Sequence, residues 1–341
     1  MRAVHVTRHG GPEVLELVDL PVPEPGPGEV RVRVAAVSLN HLDLWVRRGM
    51  PGVDIPMPHV PGCDGAGLVD ALGPGVEGLA LGAPVLLEPG FTLGDGPEVL
   101  AGVDHLAPDY GIRGEHAPGF TAELVCLPAR YLTPIPAGID LVEAAALPLV
   151  FLTAWGMLVT RAEVQASETV LVIGAASGVG SAAIQLARAR GCRVAATAGS
   201  EEKRALGLSL GAEAVFDHGD PEWSRAAKAF SGGGFDVVIE HVGPATWDQS
   251  MRLLARRGRL VTCGGTTGPK VSVTLPHLFM KNQSVLGSTM GPRSALPEVL
   301  AGVAAGELRP VLDRSLPVES IRQAHQLLED RSVVGKLVLT F

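Results

Sequence analysis

Residues 168–203, ETVLVIGAASGVGSAAIQLARARGCRVAATAGSEEK, decide the fold. An apolar, β-rich run from Val170 to Ile173 breaks into a turn of small residues, GAASGVG. A helical pattern follows, with Ala183, Leu186 and Ala187 on one face, and then a second short strand from Cys192 to Thr197. Strand, glycine turn, helix and strand in that order form the unit that sets a dinucleotide pyrophosphate on a helix N-terminus. Gly174 serves the tight turn, Gly178 lets the backbone approach the phosphates, and Gly180 lets helix and strand pack closely, with Ser177 and Val179 between them. Glycine spacing alone says little, but here the flanking strands and helix the motif requires are present.

Outward from this unit, the chain alternates strand and helix. Strands are expected at 169–174, 192–198, 213–217, 235–240, 258–264 and 283–288, and six such strands make a doubly wound parallel sheet. The segment EAAALPLVFLTAWGMLV reads as one helix. The first ~125 residues differ: short strands punctuated by Pro and Gly, including an alternating run from Val30 to Val37, with a helical period only near His41 to Arg48. The tail adds helices at 295–306 and 319–330 and a last strand, GKLVLTF. The simplest assembly inserts a nucleotide domain, 128–292, into a β-rich domain built from 1–127 and 293–341, with a ligand cleft between them.

At 341 residues the chain has room for two cores. Acidic residues outnumber basic ones, 36 to 28, and the densest basic cluster is Arg256, Arg257 and Arg259, which argues against nucleic acid as a partner. No apolar run approaches the ~20 residues that span a bilayer, and the opening residues do not read as a signal peptide. Four cysteines lie far apart, with no CxxC, which fits a reducing, cytoplasmic setting.

GPEVLEL, LNHLDLWVRRG, HVPGCDGAG, AALPLVFLTAW, GAASGVG and GKLVL together resemble the medium-chain dehydrogenase/reductase superfamily, most closely its quinone-oxidoreductase branch and the zinc-type alcohol-dehydrogenase-like proteins near it. The resemblance covers the whole chain. It implies a GroES-like β-rich domain with a Rossmann domain, hydride transfer from NAD(P)H to a small-molecule substrate, and a homodimer or homotetramer.

The sequence departs from the zinc-dependent pattern. The three catalytic-zinc positions correspond to Asn40, Cys63 and Leu149, of which one is a good ligand. The four structural-zinc positions correspond to Leu93, Gly96, Val99 and Ala107, so no zinc is expected. His59 and Cys63 have i, i+4 spacing, but Pro58, Pro61 and Gly62 forbid the helix that would align them.

Around the reacting centre the expected residues are Asn40, Asp43, Cys63 and Asp64. Asn40 would donate an amide hydrogen bond to the substrate oxygen or orient the nicotinamide; the plainer reading is a turn residue. Asp43 and Asp64 would order a proton path or a water, or else act as helix caps or partners of Arg47 or Arg48. Cys63 would line the pocket as a small apolar group. For the cofactor, Thr153 resembles the family threonine that contacts the carboxamide. His241, Val242 and Gly243, then Gly264, Gly265 and Thr266, and finally Ser288 follow successive strand ends where an extended dinucleotide lies; for His241 a plain surface-loop role is equally open. The second strand ends at Gly199 and Ser200 with no acid to hold both ribose hydroxyls. Ser200 and Lys203 are expected to take a 2′-phosphate and His218 to lie beside the adenosine, which favours NADPH; Glu201 and Glu202 keep NADH open. The expected activity is a zinc-independent reductase of quinones or α,β-unsaturated carbonyls. The alternatives are an alcohol or aldehyde dehydrogenase, and a nucleotide-binding redox sensor without catalysis.

Overall fold

A computed structural model describes residues 1–50 and 52–341. The chain divides into two compact units, residues 1–149 with 296–341, and residues 150–295.

The first unit opens with β1 (Arg2–Val6) and β2 (Leu15–Asp19), an antiparallel pair. Then come β3 (Glu29–Ser38), α1 (His41–Arg48), β4 (Asp64–Leu72), β5 (Pro84–Leu87) and β6 (Gly90–Phe91). A lobe carries the short α2 (Pro97–Leu100) and β7 (Gly111–Ile112), the latter paired with β6. β8 (Leu124–Pro128), β9 (Leu132–Pro134) and α3 (Leu141–Ala145) follow, and α4 (Pro148–Trp155) starts as this unit ends. From the far end of the chain, after the elements of the second unit, come α10 (Leu296–Ala304), β16 (Leu312–Pro317), α11 (Ile321–Glu329) and β17 (Lys336–Thr340). The main sheet runs β16-β17-β3-β4-β5-β9, with β8 also paired to β3. β3 alternates because Val30, Val32 and Val34 face a core shared with Val69, Val85, Leu127 and Leu339.

The second unit holds β10 (Thr169–Val172), α5 (Gly178–Ala189), β11 (Arg193–Ala198), α6 (Glu201–Ser209) and β12 (Ala214–Asp217). It continues with α7 (Trp223–Phe230), β13 (Phe235–Glu240), α8 (Pro244–Leu253), β14 (Leu254–Thr262), α9 (Leu275–Lys281) and β15 (Ser284–Gly287). Its sheet order is β12-β11-β10-β13-β14-β15, parallel throughout. This is the doubly wound arrangement, with the order reversing between β10 and β13, where ligands of such sheets bind.

Two expectations need correction. Residues 143–159 do not form one helix: α3 ends before Pro148, α4 begins there, and a π-helical turn covers Gly156–Arg161. A proline disfavours helical backbone at the residue before it, which makes the break. Residues 128–149, assigned from sequence to the nucleotide domain, pack in the first unit: β9 pairs with β5, and α3 lies against β3 and β4.

Candidate functional site

In the second unit, β10 runs into the glycine turn and α5. Gly174 has φ of +80°, the left-handed region. Its carbonyl accepts from the Ser177 N–H at 3.1 Å and from Ser177 Oγ at 2.9 Å. Ser177 caps α5 by accepting from the Gly180 N–H at 2.9 Å. A Cβ on Gly180 would lie 2.1 Å from the Gly174 oxygen, so only glycine permits this approach. The sequence roles of Gly174 and Gly180 have a geometric basis, and the first-turn N–H groups at Gly178 and Val179 have no intrahelical partner by helix geometry.

His241 follows β13, and its Nε2 lies 3.2 Å from Ser177 Oγ. The serine hydroxyl is already donated to Gly174, so the imidazole donates through Nε2–H. Burial lowers the His241 pKa, keeping the ring neutral. Glu240, which sequence reasoning missed, is fully buried at the end of β13. Its carboxylate accepts from the N–H of Val242 (2.6 Å) and Gly243 (3.0 Å) and from the hydroxyls of Thr246 and Ser250 (both 2.8 Å). A charged residue closing the apolar strand DVVIE was the available signal. Thr266 Oγ1 donates to the His241 carbonyl at 3.1 Å, and Thr267, also missed, donates to Val242 at 2.7 Å. The loops after β13 and β14 are thus bound together, with Gly265 in close backbone contact with Gly268. Gly264 accepts from Thr262 at 3.2 Å, and the Ser288 N–H donates to the Thr262 carbonyl at 2.9 Å.

At the end of β11, His218 lies so close to Gly199 that a Cβ there would meet its Nε2 at 2.8 Å. Ser200 caps α6 through the Lys203 N–H at 3.3 Å. Thr153 is buried on α4, its hydroxyl 3.7 Å from the Met290 sulfur, a weak acceptor that a better one can displace. This glycine cradle suits a dinucleotide: it has the close backbone approach that any side chain would fill.

In the first unit, Asn40, Cys63 and Asp64 do come together, and with them Lys336 of the closing GKLVL, which sequence reasoning missed. Asp64 Oδ2 accepts from Asn40 Nδ2 at 2.8 Å, Lys336 Nζ at 3.2 Å and Ser38 Oγ at 3.4 Å. Its Oδ1 accepts from the Leu149 N–H at 2.8 Å. Lys336 also donates to Asn40 Oδ1, and Asn40 Nδ2 lies 3.3 Å from Cys63 Sγ. Asp64 and Cys63 are inaccessible and Lys336 is 4% exposed.

The expected roles change accordingly. The Asn40 amide is engaged at both ends, its oxygen accepting from Lys336 and its nitrogen donating to Asp64, which favours a structural role over a substrate-binding one. Asp64 spends both of its oxygens on donors from the protein itself. Asp43 takes its capping reading: it accepts from the Asn40 N–H at 2.7 Å and the Gly62 N–H at 3.1 Å, fixing the start of α1 to the strand-4 entry. Burial raises its carboxyl to about 6. Cys63 lines no surface, and burial holds its thiol well above the ordinary range, so it is unreactive. Arg47 pairs with Glu329 on α11, not with Asp43 or Asp64.

A catalytic zinc does not fit these residues. One side chain of the three positions is a good ligand, and it sits beside a buried ammonium that would repel a dication. Among the described residues no group of three or more His, Cys, Asp or Glu side chains is arranged to hold a metal ion. Leu93, Gly96, Val99 and Ala107 offer the lobe no ligand either. There Tyr131 supplies a fastening: its hydroxyl accepts from the Thr92 N–H at 3.0 Å and donates to the Thr92 carbonyl at 2.8 Å.

Comparison with known proteins agrees with both units. Residues 26–137 match the family model of the alcohol dehydrogenase GroES-like domain, and residues 178–305 that of the zinc-binding dehydrogenases. Quinone oxidoreductase of Lama guanicoe is 32% identical over 348 residues, covering 99% of this chain and 97% of the relative. A solved structure described as an NAD-dependent alcohol dehydrogenase has 47% identity, full coverage of both chains and a TM-score of 0.96. A cobalt- and zinc-bound thermostable alcohol dehydrogenase from Pyrobaculum aerophilum has 35% identity and a TM-score of 0.90, covering 100% of this chain and 99% of that one. With its GroES-like first unit and its glycine-cradled parallel sheet, the chain belongs to the medium-chain dehydrogenase/reductase superfamily and is an NAD(P)H-dependent oxidoreductase.

Proposed function

We propose that the protein reduces quinones or α,β-unsaturated carbonyls with NADPH and without a catalytic metal. The observation that carries this reading is the Asn40–Cys63–Asp64–Lys336 cluster, in which each polar group is already engaged by another. It offers a dication one good ligand, and its amide and ammonium donors bond Asp64 and one another rather than a nascent alkoxide. Reduction of a plain ketone gives an anion whose conjugate acid has a pKa of roughly 16, whereas a quinone or enone gives one near ~10; the difference is about 8 kcal/mol that the protein need not supply.

When bound, the nicotinamide supplies the hydride. The chain's own residues hold and orient: the Gly174–Gly180 turn with Ser177, Gly178 and Val179 takes the pyrophosphate, and His241 steadies Ser177. The loops at Val242–Gly243 and Gly264–Thr266, with Ser288, border the dinucleotide, and Thr153 takes the carboxamide. Ser200 and Lys203 take the 2′-phosphate and His218 flanks the adenosine. With Asp43 and Asp64 tied to fixed donors, solvent provides the proton that completes reduction.

NADH is the second reading, favoured by the likeness to an NAD-dependent alcohol dehydrogenase and by Glu201 and Glu202 at the start of α6. That same likeness supports alcohol oxidation as the second chemistry. We also infer a homodimer or homotetramer and a cytoplasmic enzyme; the four cysteines are free, as a reducing compartment would keep them.

The test is oxidation of NADPH and NADH against quinones, enones and simple aldehydes, before and after chelation. The expected result is NADPH-dependent turnover of the activated acceptors that survives metal removal. Stoichiometric zinc in the active protein, or brisk oxidation of plain alcohols, would overturn the metal-free reading, and a clear preference for NADH would overturn the cofactor assignment.

A further inference from the structure

A buried ion pair is costly to desolvate and is weak evidence for stability in itself, so the Lys336–Asp64 pair asks for a role. One oxygen of Asp64 faces Lys336, Asn40 and Ser38; the other accepts only the Leu149 N–H. Leu149 is the second residue of α4. The first, Pro148, has no N–H, and the residue before the helix, Leu147, has no side-chain acceptor. Helices ordinarily satisfy the N–H of their second or third residue with a neighbouring Ser, Thr, Asp or Asn. Here a carboxylate 85 positions earlier in the chain does so, from the first residue of β4. Negative charge at that end also complements the helix dipole.

We propose that Asp64, charge-balanced by Lys336, is a remote N-cap of α4 and through it a positioning residue for Thr153. Thr153 lies four residues beyond Leu149, on the same face of the helix. The far end of α4 is held independently: a Cβ on Gly291 would sit 2.1 Å from the Leu152 carbonyl, and one on Gly156 would sit 1.9 Å from the Met290 carbonyl. This close packing anchors one end of the helix and the cap anchors the other, so the two together fix its rotation about its own axis and hence the direction of the threonine hydroxyl. The link to catalysis rests on the nicotinamide contact proposed for Thr153; the capping does not.

Two charge-neutral double variants separate capping from mere ion pairing. Asp64→Asn with Lys336→Met keeps an acceptor for the Leu149 N–H, whereas Asp64→Leu with Lys336→Met removes it, and neither leaves a buried charge unpaired. Hydrogen exchange of the 148–155 segment should accelerate at least tenfold in the leucine double and stay within threefold of the parent in the asparagine double. On whichever acceptor turns over, the leucine double should show kcat/KM at least tenfold below the asparagine double. It should also show a larger primary isotope effect with NADPH deuterated at C4. Lys336→Arg alone, which preserves both the charge and the Asp64 acceptor, should keep the parent isotope effect.

Equal exchange in the two doubles overturns the cap. Unequal exchange with equal isotope effects and equal KM for NADPH overturns the link to Thr153. If the leucine double does not fold, Asp64→Ala with Lys336→Met, which removes the acceptor without adding bulk, should reproduce the exchange change. If no acceptor turns over, the proposed reaction fails, while exchange still decides the cap. The NADPH dissociation constant, expected to be at least tenfold weaker in the leucine double, then decides the link.

Discussion

Gly180 shows how narrow the tolerance is at single positions. The carbonyl its Cβ would meet at 2.1 Å belongs to backbone that already accepts two hydrogen bonds, so neither partner can turn aside. Gly180→Ala should therefore cost about 2–3 kcal/mol of stability. It should also weaken binding of the nicotinamide dinucleotide at least tenfold, the two effects read by thermal denaturation and by fluorescence titration. Gly174 is a softer case, since a Cβ there meets the His241 ring at 3.3 Å but requires φ of +80°. Both glycines were legible in sequence because their reason is local: strand, turn and helix lie within a dozen residues. Lys336 was not. Its partners Asn40 and Asp64 are 296 and 272 positions away, and no local pattern distinguishes a strand lysine that faces solvent from one that faces a buried carboxylate. For the same reason Asn40 looked available to a substrate until its partner was in view.

At the level of elements, α1 matched its expected span, His41 to Arg48, while the helix after Val142 did not, because hydrophobic periodicity is blind to a proline break in an apolar run. The α1 and α11 contact carries a pH dependence of definite sign. The buried Arg47 guanidinium bonds Glu329, lies 3.1 Å from His325 Nδ1 and lies 3.1 Å from the Gly10 carbonyl. Arg48 also reaches Glu329, at 2.8 Å. An arginine only donates, so His325 accepts through Nδ1 and is neutral. Burial, aided by the Arg47 charge, pushes its pKa down to about 3. The unfolded chain binds a proton at this residue below about 6.5 and the folded chain does not, so His325 contributes stability that is complete above that pH and lost as pH falls toward 3. The Asp43 carboxyl, raised to about 6, works the other way: between about 4 and 6 the folded chain binds its proton more readily, so its contribution improves as pH falls. Urea unfolding at pH 5 and pH 7.5 should therefore show a smaller acid loss than His325 alone gives, at most about 1.4 kcal/mol per pH unit. His325→Leu should remove that loss and, by withdrawing the Arg47 acceptor, lower stability at pH 7.5. An unchanged acid dependence in the variant would exclude His325 as its source.

For the whole molecule, the sequence contained the division into a β-rich unit closed by both chain ends and a parallel unit between them; the boundary near Leu149 was hidden because β9 and α3 resemble the start of the nucleotide fold only in their order. What composition could not convey is where the second unit leaves apolar surface uncovered. β15 is the last strand of the parallel sheet and, among the described residues, pairs only with β14. Beside it in sequence, α9 exposes Leu275, Phe279 and Met280, each 64–66% accessible, with Val273 and Val285 also exposed. An open strand edge flanked by large apolar side chains is a site that chains either protect or pair. β15, SVLG, carries neither a charge nor a proline to blunt its edge. Two copies related by a twofold axis can satisfy such an edge with itself, since an isologous contact brings the same strand against its own copy. The proposed homo-oligomer should therefore be built on this edge. Light scattering at micromolar concentration should give a mass of two or four chains, and Phe279→Glu combined with Val285→Lys should halve it without unfolding either unit. A parent protein that runs as a single chain, or a double variant that keeps the parent mass, would place the assembly elsewhere or remove it.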